Sequence, residues 1–162
     1  MKLSSLFATL LLPFLSVFAL GLEIAQASQE QAHVEIWVGS GAEYTPQGEE
    51  LETYEITVIN SFGADNKVHS EATITTARGG KRVITQDLTI KGNRWSNISN
   101  LGKGGGACYG ADMCENYLED ESGRAYATTI AIDSRDQRRN LTMILQNGKA
   151  IKVVREKVSR AQ

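Results

Sequence analysis

The sequence predicts an all-β protein: a single antiparallel meander of about eight strands, forming a β-sandwich or a flattened barrel. Three observations carry this expectation. Apolar residues recur with a period of two, turn-forming residues interrupt the runs about every dozen positions, and no segment after residue 27 shows a helical repeat.

The runs follow in order. Val34, Ile36 and Val38 alternate with His33, Glu35 and Trp37 until Gly39-Ser40-Gly41 breaks the pattern. Tyr54, Ile56 and Val58 alternate with Thr53, Glu55 and Thr57, and the run ends at Asn60-Ser61 and Gly63-Ala64-Asp65-Asn66. Residues 68–76 form a third run, stopped by Arg78-Gly79-Gly80-Lys81, and residues 82–90 form a fourth. Lys91-Gly92-Asn93 is a hairpin turn into residues 94–98. Residues 124–133, 139–146 and 150–158 complete the set. Asn147-Gly148 is the strongest hairpin signal, because both residues tolerate the positive φ of a type I′ turn. A sheet of this size must hide its apolar face against a second layer or by closing on itself. Val34, Ile36, Ile56, Ile84, Leu88, Ile130 and Leu145 are the expected core.

Residues 99–121 break the alternation. They carry Gly102, Gly104, Gly105 and Gly106, then Cys108 and Cys114, then an acidic run through Glu121. This reads as a long irregular loop, where binding residues tend to concentrate.

Residues 1–27 read as an export signal: Lys2 is the positive start, an apolar stretch follows, and Ala25-Gln26-Ala27 suits signal peptidase. The expected organisation is a signal peptide over residues 1–27 and one antiparallel β domain over residues 28–162. The compartment is then the periplasm or, alternatively, the medium. No later segment is apolar for long enough to span a bilayer. The two cysteines of such a protein are expected to form a disulfide, which in a loop this short removes on the order of 2 kcal/mol of chain entropy.

The formal net charge of −2 is spread over interspersed acidic and basic residues. The one basic cluster, Arg135 to Arg139 with Asp136 and Gln137 inside it, reads as a solvated turn, so no nucleic acid is expected as a partner. His33 and His69 read as structural or surface residues. The carboxylates Glu49, Glu50, Glu52, Glu119, Asp120 and Glu121 read as solvated charge. Gly102-Lys103-Gly104-Gly105-Gly106 is followed by Ala107-Cys108, which does not fit a phosphate loop. No catalytic residue, metal or cofactor is expected. Two sequons, Asn97-Ile98-Ser99 and Asn140-Leu141-Thr142, would accept glycans in a eukaryotic secretory pathway.

Ser122-Gly123-Arg124-Ala125-Tyr126 resembles the Ser-Gly-Arg-x-Tyr loop of periplasmic inhibitors of invertebrate-type lysozyme. The resemblance implies a small exported β-protein, not an enzyme, with lysozyme as its partner. Ser122, Gly123, Arg124 and Tyr126 would enter the lysozyme cleft and block its catalytic carboxylates. The residue types suit that task, with two hydroxyl donors, a guanidinium fork for a carboxylate and a glycine for close approach. A Cys108–Cys114 bridge would stiffen the loop, and Glu119 to Glu121 would steer it toward a basic lysozyme surface.

A second resemblance is architectural. Trp37 followed by hairpin after hairpin is similar to the lipocalin-type barrels, although Glu35 stands where their Gly-x-Trp motif has glycine. This alternative implies an interior site for a small apolar ligand, with Trp37, Tyr54, Ile56, Ile84 and Leu88 as candidate lining.

Overall fold

The structure, a computed structural model, describes residues 33–161. The expected export signal lies outside the described residues. The strands are β1 (His33–Tyr44), β2 (Glu50–Phe62), β3 (Lys67–Thr76), β4 (Lys81–Lys91), β5 (Arg94–Ser99), β6 (Gly102–Tyr109), β7 (Met113–Glu119), β8 (Arg124–Ser134), β9 (Gln137–Gln146) and β10 (Lys149–Arg160). Each pairs antiparallel with the next, and β1 pairs with β10, so the meander closes into a ten-stranded barrel. Closure removes both sheet edges, which a sandwich would have left open.

The eight expected runs are all strands. The two further strands, β6 and β7, occupy the stretch read as an irregular loop, and their hairpin is held by the Cys108–Cys114 disulfide between directly opposed residues. Glycine hid β6 from the sequence pattern because it has no side chain to alternate. Its small size is nevertheless what the strand needs: a Cβ on Gly106 would lie 2.1 Å from Cζ2 of Trp95, whose indole fills the barrel there.

The turns behave as their residues dictate. Asn147 and Gly148 take φ of 51° and 75°, and Asp65 and Asn66 take 60° and 58°. These pairs of left-handed residues form tight turns whose twist matches that of the flanking strands.

The faces of β1 are reversed from expectation. Glu35, Trp37 and Glu43 are buried, whereas Val34, Ile36 and Val38 are exposed on the outside at 52%, 42% and 42%. Leu145 is only half-buried, and by strand alternation it points away from the interior that its neighbour Ile144 lines. Carboxylates can face inward on β1 because cations from other strands meet them: Arg82 and Lys152 at Glu43, and Arg160 at Glu35. Of the remaining expected core residues, Ile56, Leu88 and Ile130 are buried and Ile84 is half-buried, packed against the interior.

The interior holds two apolar clusters. Phe62, Val68, Leu88, Ile90, Trp95, Cys108, Cys114 and Ile130 plug the end where β1 begins. Trp37, Tyr54, Ile56, Val58, Ala72, Ile74, Val154 and Val158 form the second, with Ile84 and Ile144 packed against it. Burial of each large side chain contributes about 1.5–3 kcal/mol. The plugged end is the base below. The opposite end, where β1 finishes and the β7–β8 and β9–β10 turns gather, is the mouth.

Candidate ligand cavity

Between the clusters and the mouth lies an interior cavity of about 640 Å³. Its walls differ in character. Ile56, Val58, Ala72, Ile74 and Ile84 of β2–β4 present hydrocarbon, whereas Tyr126, Thr128, Asn140, Thr142 and Glu156 of β8–β10 present polar groups across from it. Period-two alternation produces both walls, since each strand sends every second residue inward. A larger hollow of about 1160 Å³ is lined mostly by outward-facing residues such as Ser40, Ala42, Thr53 and Lys157. The interior cavity is the better small-molecule site, because enclosure by the barrel shields its hydrocarbon from water.

The mouth is charged. Glu43 accepts hydrogen bonds from Arg82 at 2.6 Å and Lys152 at 2.5 Å, which ties β1 to β4 and β10. Burial alone would push the Glu43 carboxyl up, but the bonds and charges of Lys152 and Arg82 together hold it below its usual value. Deeper, Tyr54 donates to Glu156 at 2.7 Å and Asn140 donates to the other Glu156 oxygen at 3.0 Å. Gly41 makes the first bond possible. It is paired with Tyr54 on one side and Glu156 on the other, and a Cβ on it would fall 2.4 Å from the Tyr54 ring, which crosses it. Burial and the neighbouring Glu156 carboxylate push the Tyr54 hydroxyl far up, so it stays a donor.

The floor is polar but neutral. Ser70 and Gln86 are opposed in the β3–β4 register and both line the cavity. Gln86 accepts from the buried Asn97 at 2.6 Å, and Asn116 accepts from the Trp95 indole at 3.0 Å.

Of the residues expected to line an interior site, Tyr54, Ile56 and Ile84 do so; Trp37 and Leu88 are packed within the clusters instead. Trp37 is covered by the Arg138 guanidinium, 3.8 Å from its ring centroid. Arg138 is 1% exposed, which corrects the reading of residues 135–139 as a wholly solvated turn. Arg135 and Asp136 are solvated, but strand parity turns Arg138 inward onto the indole face, where the ring offers a charged group some compensation for lost water. Burial lowers the Arg138 pKa, against the opposing charge of Glu35.

Ser122, Gly123 and Arg124 stand at the mouth rim. Asp120 Oδ1 accepts from the Ser122 hydroxyl at 2.7 Å and from the amides of Ser122 and Arg124 at 2.8 and 3.0 Å, which fixes the turn. The hydroxyl bond is the main reason the Asp120 carboxyl titrates below its usual range. Tyr126 lies one step inside and lines the cavity, with Arg124 above it. The disulfide does not brace this turn: it closes the β6–β7 hairpin at the base, while residues 120–123 join β7 to β8 at the mouth, a full strand away.

Both sequon asparagines are interior residues. Asn97 is 1% exposed and Asn140 is held by Glu156, so neither offers its amide to a glycan in the folded barrel. Arg82, Lys152, Glu43 and Glu156 had no motif to announce them. Their one common signal is an inward parity, and Arg82, Lys152 and Glu43 also sit near the mouth end of a strand.

Among the described residues no helix is long and apolar enough to cross a membrane, and no group of three or more histidine, cysteine or carboxylate side chains could hold a metal.

The fold is a closed antiparallel barrel around an interior cavity. Solved structures share it. An S-type phycobiliprotein lyase, CPES, from Guillardia theta superposes with a TM-score of 0.62 at 9% identity, over 78% of this chain and 87% of that one. A protein of unknown function from the DUF3598 family of Nostoc punctiforme gives 0.66 at 12% identity, over 78% of this chain and 46% of that one. No protein-family model matches the sequence, and no curated protein matches it.

Proposed function

We propose that this protein is a carrier that takes a small, largely apolar molecule into its barrel. The observation behind this is the cavity of about 640 Å³, walled by Ile56, Val58, Ala72, Ile74 and Ile84 and entered past a charged mouth. A volume of this size falls within the range of small-molecule sites, roughly 300–1,000 Å³. The structural neighbours support the barrel, and the side chains of this chain support the ligand class. The Cys108–Cys114 bridge and the sequence of residues 1–27 support an oxidising, extracytoplasmic compartment.

The test is uptake of the neutral fluorescent probe N-phenyl-1-naphthylamine, whose emission rises in apolar surroundings. The wild type should enhance it in a saturable way. Ala72→Phe, which sends a ring into the cavity, should weaken that binding at least about tenfold, because overpacking competes directly with ligand. A wild type without saturable enhancement would sink the carrier reading.

The rim turn supports a second function, inhibition of a lysozyme. Ser122 and Arg124 are exposed, and Asp120 holds the turn in one shape, so docking would order little. Lysis assays with several lysozyme types decide it, and undiminished lysis by all of them in excess protein removes the idea.

A further inference from the structure

We infer that the cavity floor is a recognition site for a neutral hydrogen-bonding group, such as a hydroxyl, at the buried end of the ligand. The inference rests on the carrier reading and gives it a substrate class: an amphipathic molecule, apolar in its middle and polar at its inner tip.

Ser70 carries the inference. It is 1% exposed, it lines the cavity, and its hydroxyl has no hydrogen-bond partner within the protein. A buried polar group left unmatched costs about 1–3 kcal/mol, so a packed floor of this kind would more cheaply have been alanine. Its surroundings are polar as well. Gln86 lies directly across from it in the register, and the Asn97 amide that donates to Gln86 keeps a buried oxygen with no partner of its own. These groups are uncharged, whereas the cationic groups lining the cavity, Arg82, Arg124 and Lys152, belong to the mouth ends of their strands. Two of those cations share Glu43, and Arg124 spends its Nε on Gln146. A ligand carrying both an acid and a hydroxyl would therefore enter hydroxyl first. From Arg82 to Gln86 the strand advances four residues, about 13 Å, which suits a medium-length chain.

Displacement of bound N-phenyl-1-naphthylamine from the full chain tests this, with octanoic, decanoic and dodecanoic acids compared against their ω-hydroxy derivatives. The best-fitting hydroxy acid should compete about tenfold better than its parent, the worth of one good hydrogen bond. In Ser70→Ala that preference should vanish and thermal stability should be no lower, since the lost hydroxyl had no partner in the protein. Equal or weaker competition by every hydroxy acid overturns the floor assignment and leaves the carrier standing. A preference that survives in Ser70→Ala overturns it too. Failure of the probe itself to bind removes the carrier reading and this inference together.

Discussion

The two halves of the barrel are built from the same alternating strands yet differ in what fills them. At the base, Leu88, Trp95, Cys108, Cys114 and Phe62 pack together in one buried cluster, and none of them lines the cavity. Toward the mouth, the second apolar cluster lines a cavity and shares its walls with Glu43, Arg82, Lys152 and Glu156. The difference shows that a period-two pattern specifies an inside and an outside but not whether the inside is full. Filling is decided by residue size: an indole and a disulfide at the base, Ala72 and short threonines nearer the mouth.

The sharpest way to break the comparison is to make one substitution in each half. Leu88 and Leu118 are 1% and 3% exposed, but only Leu118 faces the cavity. Leu88→Ala should cost about 4–5 kcal/mol in urea denaturation and Leu118→Ala about 2–3 kcal/mol, since atoms that already border space lose fewer contacts. Equal costs would mean that the halves are packed alike.

A smaller effect is expected from removing the disulfide. Replacing Cys108 and Cys114 together with alanine should lower stability by about 2 kcal/mol on the loop-closure model. Because the bridge sits at the base, uptake of the neutral probe should not change; a parallel loss of binding would show that the two ends are coupled.

Smaller again is the mouth ion cluster. Glu43→Gln should cost about 1 kcal/mol, because Arg82 and Lys152 are part-exposed and can turn toward water. The sign of its pH dependence follows from the lowered pKa. Glu43 contributes stability above the unfolded value near 4.5 and loses it as pH falls through the lower folded value. The wild type should therefore weaken in that acidic window more steeply than Glu43→Gln, and superimposable acid-denaturation curves would exclude the cluster as the cause. At the rim, Ser122→Ala should change stability by less than about 0.5 kcal/mol, as expected of an exposed turn. A shift in melting temperature of several degrees would show that the turn supports the barrel.

Much of this was legible in the sequence. Tyr54, Ile56 and Ile84 could be placed inside from alternation alone, and Asn147-Gly148 identified its hairpin. β6 was not legible, because the property that fits it beside Trp95 is the absence of a side chain. β1 was read inside out, since Glu35 and Glu43 look solvent-facing until Arg160, Arg82 and Lys152 are brought to them from distant strands. Arg138 was hidden among arginines that do face water. For β1 and Arg138 the missing information was long-range: a partner, not a pattern.

The seam where β1 meets β10 has a kinetic consequence. Glu43–Lys152, Tyr54–Glu156 and Arg160–Glu35 all bridge the two ends of the chain, and the first joins residues 109 apart in sequence. Strands β2 to β9 can zip hairpin by hairpin through local contacts, whereas this pairing must close nearly the whole chain, so it is the natural last step of folding. Until it forms, β1 and β10 are open edges that another molecule's strand could take. The polar pairs fix the register in which the chain's own strand is accepted. Salt that screens them should slow the final refolding phase and favour strand-exchanged dimers, which size-exclusion of concentrated refolding mixtures would reveal.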